Sequence, residues 1–111
     1  MNKEIFDKYY RNILQKAAKK RAEKETEYFS TFDVMANFRR IAKFRDNPLP
    51  VVIMDLGAKP IQSISDMVND QFKRDHLADE SITLAEWDEK FVDSLNYLLK
   101  LYASIREIIN E

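Results

Sequence analysis

The 111-residue sequence has no cysteine, a single glycine, three prolines and one histidine. Without cysteine there are no disulfide staples and no thiolate metal sites, and a reducing cytoplasm is the expected location. One glycine, Gly57, cannot build a glycine-rich phosphate loop. His76 sits in a polar stretch with no triad partner, so no nucleophilic constellation is recognisable. No apolar run nears the roughly 18 residues of a membrane span. The opening "MNKEIFDKYY" has no signal-peptide core, so a membrane is not among the expected partners.

What is present is helix-forming. At 45% hydrophobic and 33% charged residues, with so few turn formers, the composition predicts an all-α, four-helix bundle-like single domain over 1–111. Ile5, Phe6, Tyr9, Tyr10, Ile13, Leu14, Ala17 and Ala18 recur at helical spacing and predict a first helix over 4–28. "STFD" offers Ser30 as a cap and leads into a second helix over 32–45 that buries Met35, Phe38, Ile41 and Ala42. Pro48 and Pro50 then break the pattern. "VVIMDLGAKP" is β-branched but has no second strand to pair with, so it reads as a loop entering a third helix over 58–74, with Pro60 in its first turn. Thr83 and Glu86 form a capping-box pattern at the start of a fourth helix over 83–110. Trp87 reads as a packing anchor.

Charge is unevenly placed. Residues 1–45 carry 12 Lys/Arg and 6 Asp/Glu, while residues 46–111 carry 6 and 13. This asymmetry has two readings: attraction for phosphate on one half and cations on the other, or two halves that pack together with complementary charge.

The fourth helix carries an apolar stripe of Phe91, Leu95, Leu98, Tyr102, Ile105 and Ile109, broadened by Val92, Leu99, Leu101 and Ile108. That is more than one neighbour covers, so a homo-oligomer, dimer or tetramer, is expected. Opposite the stripe fall Glu89, Asp93, Asn96 and Lys100, spaced four, three, four. The third helix repeats the spacing with Lys59, Ser63, Asp66 and Asp70. Folded antiparallel, the two rows set Lys59 near Lys100, Ser63 near Asn96, Asp66 near Asp93 and Asp70 near Glu89. Four carboxylates gathered at one end suit Mg²⁺, which holds nucleotide phosphates. The alternative is that both rows simply face water.

"EYFSTFDVMANFRRIAKF", "LGAKPIQSISDMV" and "WDEKFVDSLNYLLKLYA" resemble segments of small helical proteins of tailed phages and prophages. These are similar to nucleotide-modification-associated domains and, more distantly, to MazG-like all-α nucleoside triphosphate pyrophosphohydrolases. The matching positions are Glu27, Tyr28, Asn37, Phe38, Lys59, Ser63, Asp66, Glu89, Asp93, Asn96 and Tyr97. The resemblance implies Mg²⁺ on Asp66, Asp70, Glu89 and Asp93, with water attacking between the α and β phosphates. It implies a host cytoplasm as the setting. Three departures stand against it: Asp-x-x-x-Asp in place of Glu-x-x-Glu, "EYF" in place of "DYG", and Pro60 within the Lys–Ser turn.

Three functional classes follow. The first is a nucleotide-binding protein or Mg²⁺-dependent pyrophosphohydrolase, with Asn37, Arg40, Lys59, Ser63, Asn96 and Lys100 on the nucleotide. The second is a non-enzymatic interaction protein that binds a host protein or sequesters a nucleotide. The third, a nucleic-acid binder, draws only on the basic stretches 16–24 and 39–45 and has no recognisable reading motif.

Overall fold

The computed structural model describes residues 1–27, 33–73 and 82–110, with the side chains of 25–27 left aside. These form four helices and no strand: α1 (Lys3–Glu27), α2 (Ala36–Arg45), α3 (Leu49–Phe72) and α4 (Leu84–Ile109). No helix is long and apolar enough to cross a membrane. Ser30, Tyr28 and His76 lie outside the described residues.

The ends of α4 follow the sequence chemistry. Thr83 caps the helix, its hydroxyl accepting a 3.2 Å hydrogen bond from the Glu86 N–H, which satisfies one of the four orphan donors of the first turn. At the far end Asn110 adopts a left-handed conformation and its N–H returns to the Arg106 carbonyl. Asp46 closes α2 the same way, bonding back to Ala42 and Lys43.

α2 starts at Ala36 rather than 32 because Asp33 forms a turn ahead of it. Its carboxylate accepts from the Met35 N–H and its carbonyl from the Ala36 N–H. α3 corrects the sequence reading more strongly: it begins at Leu49, so "VVIMDLGAKP" is helix, and Pro60 lies in the interior rather than the first turn. Pro50 sits where no intrahelical N–H is needed, and Val52 and Ile53 are fully buried. Burying two aliphatic side chains contributes about 1.5–3 kcal/mol each, well above the few tenths that a β-branched residue costs in a helix.

α3 and α4 run antiparallel. Gly57 meets Tyr97, and at the other end Phe72, Trp87 and Phe91 form a row of rings with centroids 6.1 and 6.4 Å apart. Trp87 is the packing anchor its position suggests. Met35, Phe38 and Ile53 form the core, with Leu49, Leu56, Tyr97 and Leu101 packed around them. Phe38 meets Tyr97 edge to face at 6.1 Å, a favoured aromatic geometry. α1 docks across α4 through Ala17, which is 2% exposed.

Ser94, on α4, has a buried hydroxyl with no hydrogen-bond partner among the described residues. An unpaired buried hydroxyl costs stability, so Ser94→Ala should be neutral or stabilising by up to about 1 kcal/mol. A loss above that in chemical denaturation would mean the hydroxyl does find a partner.

Candidate functional site

The polar row of α4 is neither washed by solvent along its length nor turned toward α3. Asp93 accepts from the Lys20 ammonium of α1 at 2.5 Å. The Asn96 side-chain amide donates to the Ala17 carbonyl at 3.1 Å. The Lys100 ammonium stands 5.3 Å from the centre of the Phe38 ring of α2, within cation–π range. Glu89 alone of the four is exposed. The row is therefore the seam on which α1 and α2 dock. Its spacing of four, three, four is the spacing of a helix face that meets other helices.

The matching row of α3 behaves differently. Lys59, Asp66 and Asp70 are exposed and Ser63 is half-buried. Asp66 accepts from the Gln62 side chain of its own helix at 3.1 Å. The antiparallel pairing of α3 with α4 is present, but it runs through other faces. Among the described residues no three His, Asp or Glu side chains are grouped to hold a metal ion. Asn37 and Arg40 are exposed on α2. A cation bound at Asp93 has to displace the Lys20 ammonium, so binding there starts with a competitor in place.

Part of the charge asymmetry is used in packing. Lys16–Asp88, Lys20–Asp93 and Arg39–Glu107 each join a cation from the first 45 residues to a carboxylate from the remainder. Arg39 is the hub at the α2 end. Its Nη1 and Nη2 donate to the two oxygens of Glu107 at 2.8 and 2.6 Å, and its Nε donates to Asp33 at 2.7 Å. The Arg39 hydrogen bonds hold both carboxyls below their ordinary values, with the Met35 N–H adding to the effect at Asp33.

Folded carboxyls with depressed pKa values bind protons less readily than unfolded ones. The cluster's contribution is therefore complete above the unfolded carboxylate pKa of about 4 and is lost as pH falls through the depressed values. Asp33 and Glu107 are well exposed, so the effect is small and salt-sensitive. Arg39→Gln should lower the unfolding midpoint at pH 7, and its difference from wild type should fade in acid. A difference unchanged down to pH 2 would assign it to packing instead.

The sequence reading makes the stripe on α4 a packing surface larger than one neighbour covers. In the structure α4 packs on its chain neighbours with the arcs to either side of it, through Val92, Ser94, Tyr97, Leu101 and Ser104. The stripe itself lies open: Leu84, Phe91, Leu98, Tyr102, Ile105 and Ile109 are 39–73% exposed. At 100° per residue these six fall within an arc of about 60°. Leu84, which extends the four–three repeat to the start of the helix, was not part of the sequence reading; extending the repeat backward past Asp88 finds it. Seven hydrophobic residues are buried among those described, against nineteen large exposed ones.

Comparison of the chain with protein-family models, curated proteins and solved structures finds no match, so the resemblance to MazG-like proteins rests on the quoted residues alone.

Proposed function

We propose that this chain is a helical interaction protein, acting by association rather than chemistry, whose working surface is the open stripe of α4. The observation that carries this reading is the stripe itself: six large apolar side chains at steps of seven, seven, four, three and four along the helix, left exposed, with half-buried Leu95 between them. Contiguous apolar patches of this kind mark interaction sites. A four–three repeat is specific to another helix as the occupant.

The competing reading, a Mg²⁺-dependent nucleotide-binding protein using Asp66, Asp70, Glu89 and Asp93, makes opposite expectations in one experiment. Thermal unfolding and calorimetry are run with Mg²⁺ and a nucleoside triphosphate on wild type, Leu98→Glu and Asp93→Asn. The interaction reading expects no metal-dependent rise in melting temperature and no pyrophosphate release. Where the chain self-associates, the interaction reading expects Leu98→Glu to abolish the association seen by light scattering while Asp93→Asn spares it. A Mg²⁺-dependent rise that Asp93→Asn removes and Leu98→Glu leaves in place would move the assignment to nucleotide chemistry.

A further inference from the structure

Resting on the interaction reading, we infer that the helix which covers the stripe is α4 of a second copy of this chain, lying antiparallel to the first. The stripe is self-complementary in that direction. Counting two α4 helices head to tail, Leu95 of one copy falls opposite Leu98 of the other, Phe91 opposite Tyr102, and Leu84 opposite Ile109. Each layer pairs large apolar side chains, and each occurs twice about the two-fold axis.

The remaining layer sets the direction. Asp88 occupies the stripe between Leu84 and Phe91, at the position a heptad repeat reserves for a seam residue. A parallel pair brings Asp88 against Asp88 of the second copy, two like charges at the centre of an apolar seam. The antiparallel pair sets Asp88 opposite Ile105 and beside Arg106 of the second copy. Lys16 holds Asp88 at 2.5 Å within its own chain in either direction, so what distinguishes the antiparallel pair is that no second carboxylate faces Asp88. A single polar seam residue that fixes direction at some cost in stability is a known device of helix pairs.

The exposed area favours a second copy over a short peptide. The chain exposes 8944 Å², whereas a compact monomer of 13.2 kDa exposes about 6,400 Å². Its radius of gyration is 16.7 Å, against about 13 Å for a compact fold of this length. The excess surface, roughly 2,500 Å² per copy, is on the scale that stable homodimers remove from each partner. α1 contributes to it: Ile5, Phe6, Tyr9 and Tyr10 are also exposed.

The absence of native cysteine makes the test clean. Ala85→Cys and Ala103→Cys, both exposed and on one face of α4 away from the stripe, are spin-labelled separately, and the label-to-label distance within the assembly is measured by pulsed electron resonance. With 1.5 Å of rise per residue, antiparallel pairing separates the labels along the axis by about 35 Å at 85 and about 20 Å at 103. Parallel pairing adds no separation along the axis and gives nearly equal, short distances at both sites.

A dimer by light scattering, with the longer distance at 85, supports the inference. A dimer with equal short distances overturns it and leaves the interaction reading standing. A monomer at micromolar concentration overturns the choice of a second copy as occupant. A dimer that survives Leu98→Glu unchanged places the interface elsewhere and overturns both.

Discussion

Ile53→Ala should lower the free energy of unfolding by about 2–5 kcal/mol, the largest single effect expected in this chain. Ile53 is fully buried and sits where three helices converge, with Met35 and Phe38 from α2 and Tyr97 and Leu101 from α4. Removing its outer carbons forfeits their burial and leaves a void that rigid neighbours cannot close. For a chain of this size the melting temperature should fall by roughly 10 °C or more. Val51→Ala is the control, a β-branched residue two positions earlier with 44% exposure, and it should cost a small fraction of that. Equal losses at the two positions would mean that α3 is not packed as described.

Gly57→Ala should also destabilise, against the usual gain of about 1 kcal/mol for replacing glycine within a helix. A Cβ at position 57 would lie 2.8 Å from the Cβ of Tyr97. That atom is fixed to the α4 backbone, so no rotamer change relieves the clash and the two helices must separate. Overpacking of this kind costs about 1–3 kcal/mol. Because the nearest obstacle is Cβ and not the ring, Tyr97→Ala should fail to rescue Gly57→Ala, and a double-mutant cycle should show little favourable coupling. Rescue by Tyr97→Ala would show that the ring, 3.1 Å away at Cγ, sets the approach instead.

The legibility of these features differs from element to element. The limits of α1 and α4 were readable because caps and periodicity act locally: Thr83 needs only Glu86 to make its bond. The start of α3 was not readable. Val51, Val52 and Ile53 between two prolines carry every local sign of a non-helical segment, and what makes them helical is burial against residues far away in sequence. For α4 the periodicity located the polar row and the apolar stripe correctly. It could not say which neighbour each face meets. α3 and α1 approach α4 along its flanks, where small residues such as Ser94, Ser104 and Gly57 allow close contact, and such residues add little to a hydrophobicity pattern. The periodicity marks the most apolar arc as more surface than one neighbour covers, and it is the arc the chain's own helices leave open. That three of the cations, Lys16, Lys20 and Arg39, serve packing could only be seen once they were found on their carboxylates.

The docking of α1 on α4 also fixes an order of events during synthesis. Lys16 binds Asp88, Lys20 binds Asp93, and Ala17 receives Asn96 from 79 positions along the chain. α1 is translated before α4, so its docking face stays incomplete until Asp88, Asp93 and Asn96 have been made. α2 and α3 are consecutive, and α3 meets α4 as a simple antiparallel return, so these can assemble as they emerge. Until then Lys16, Ala17 and Lys20 lack the partners that hold α1 in place.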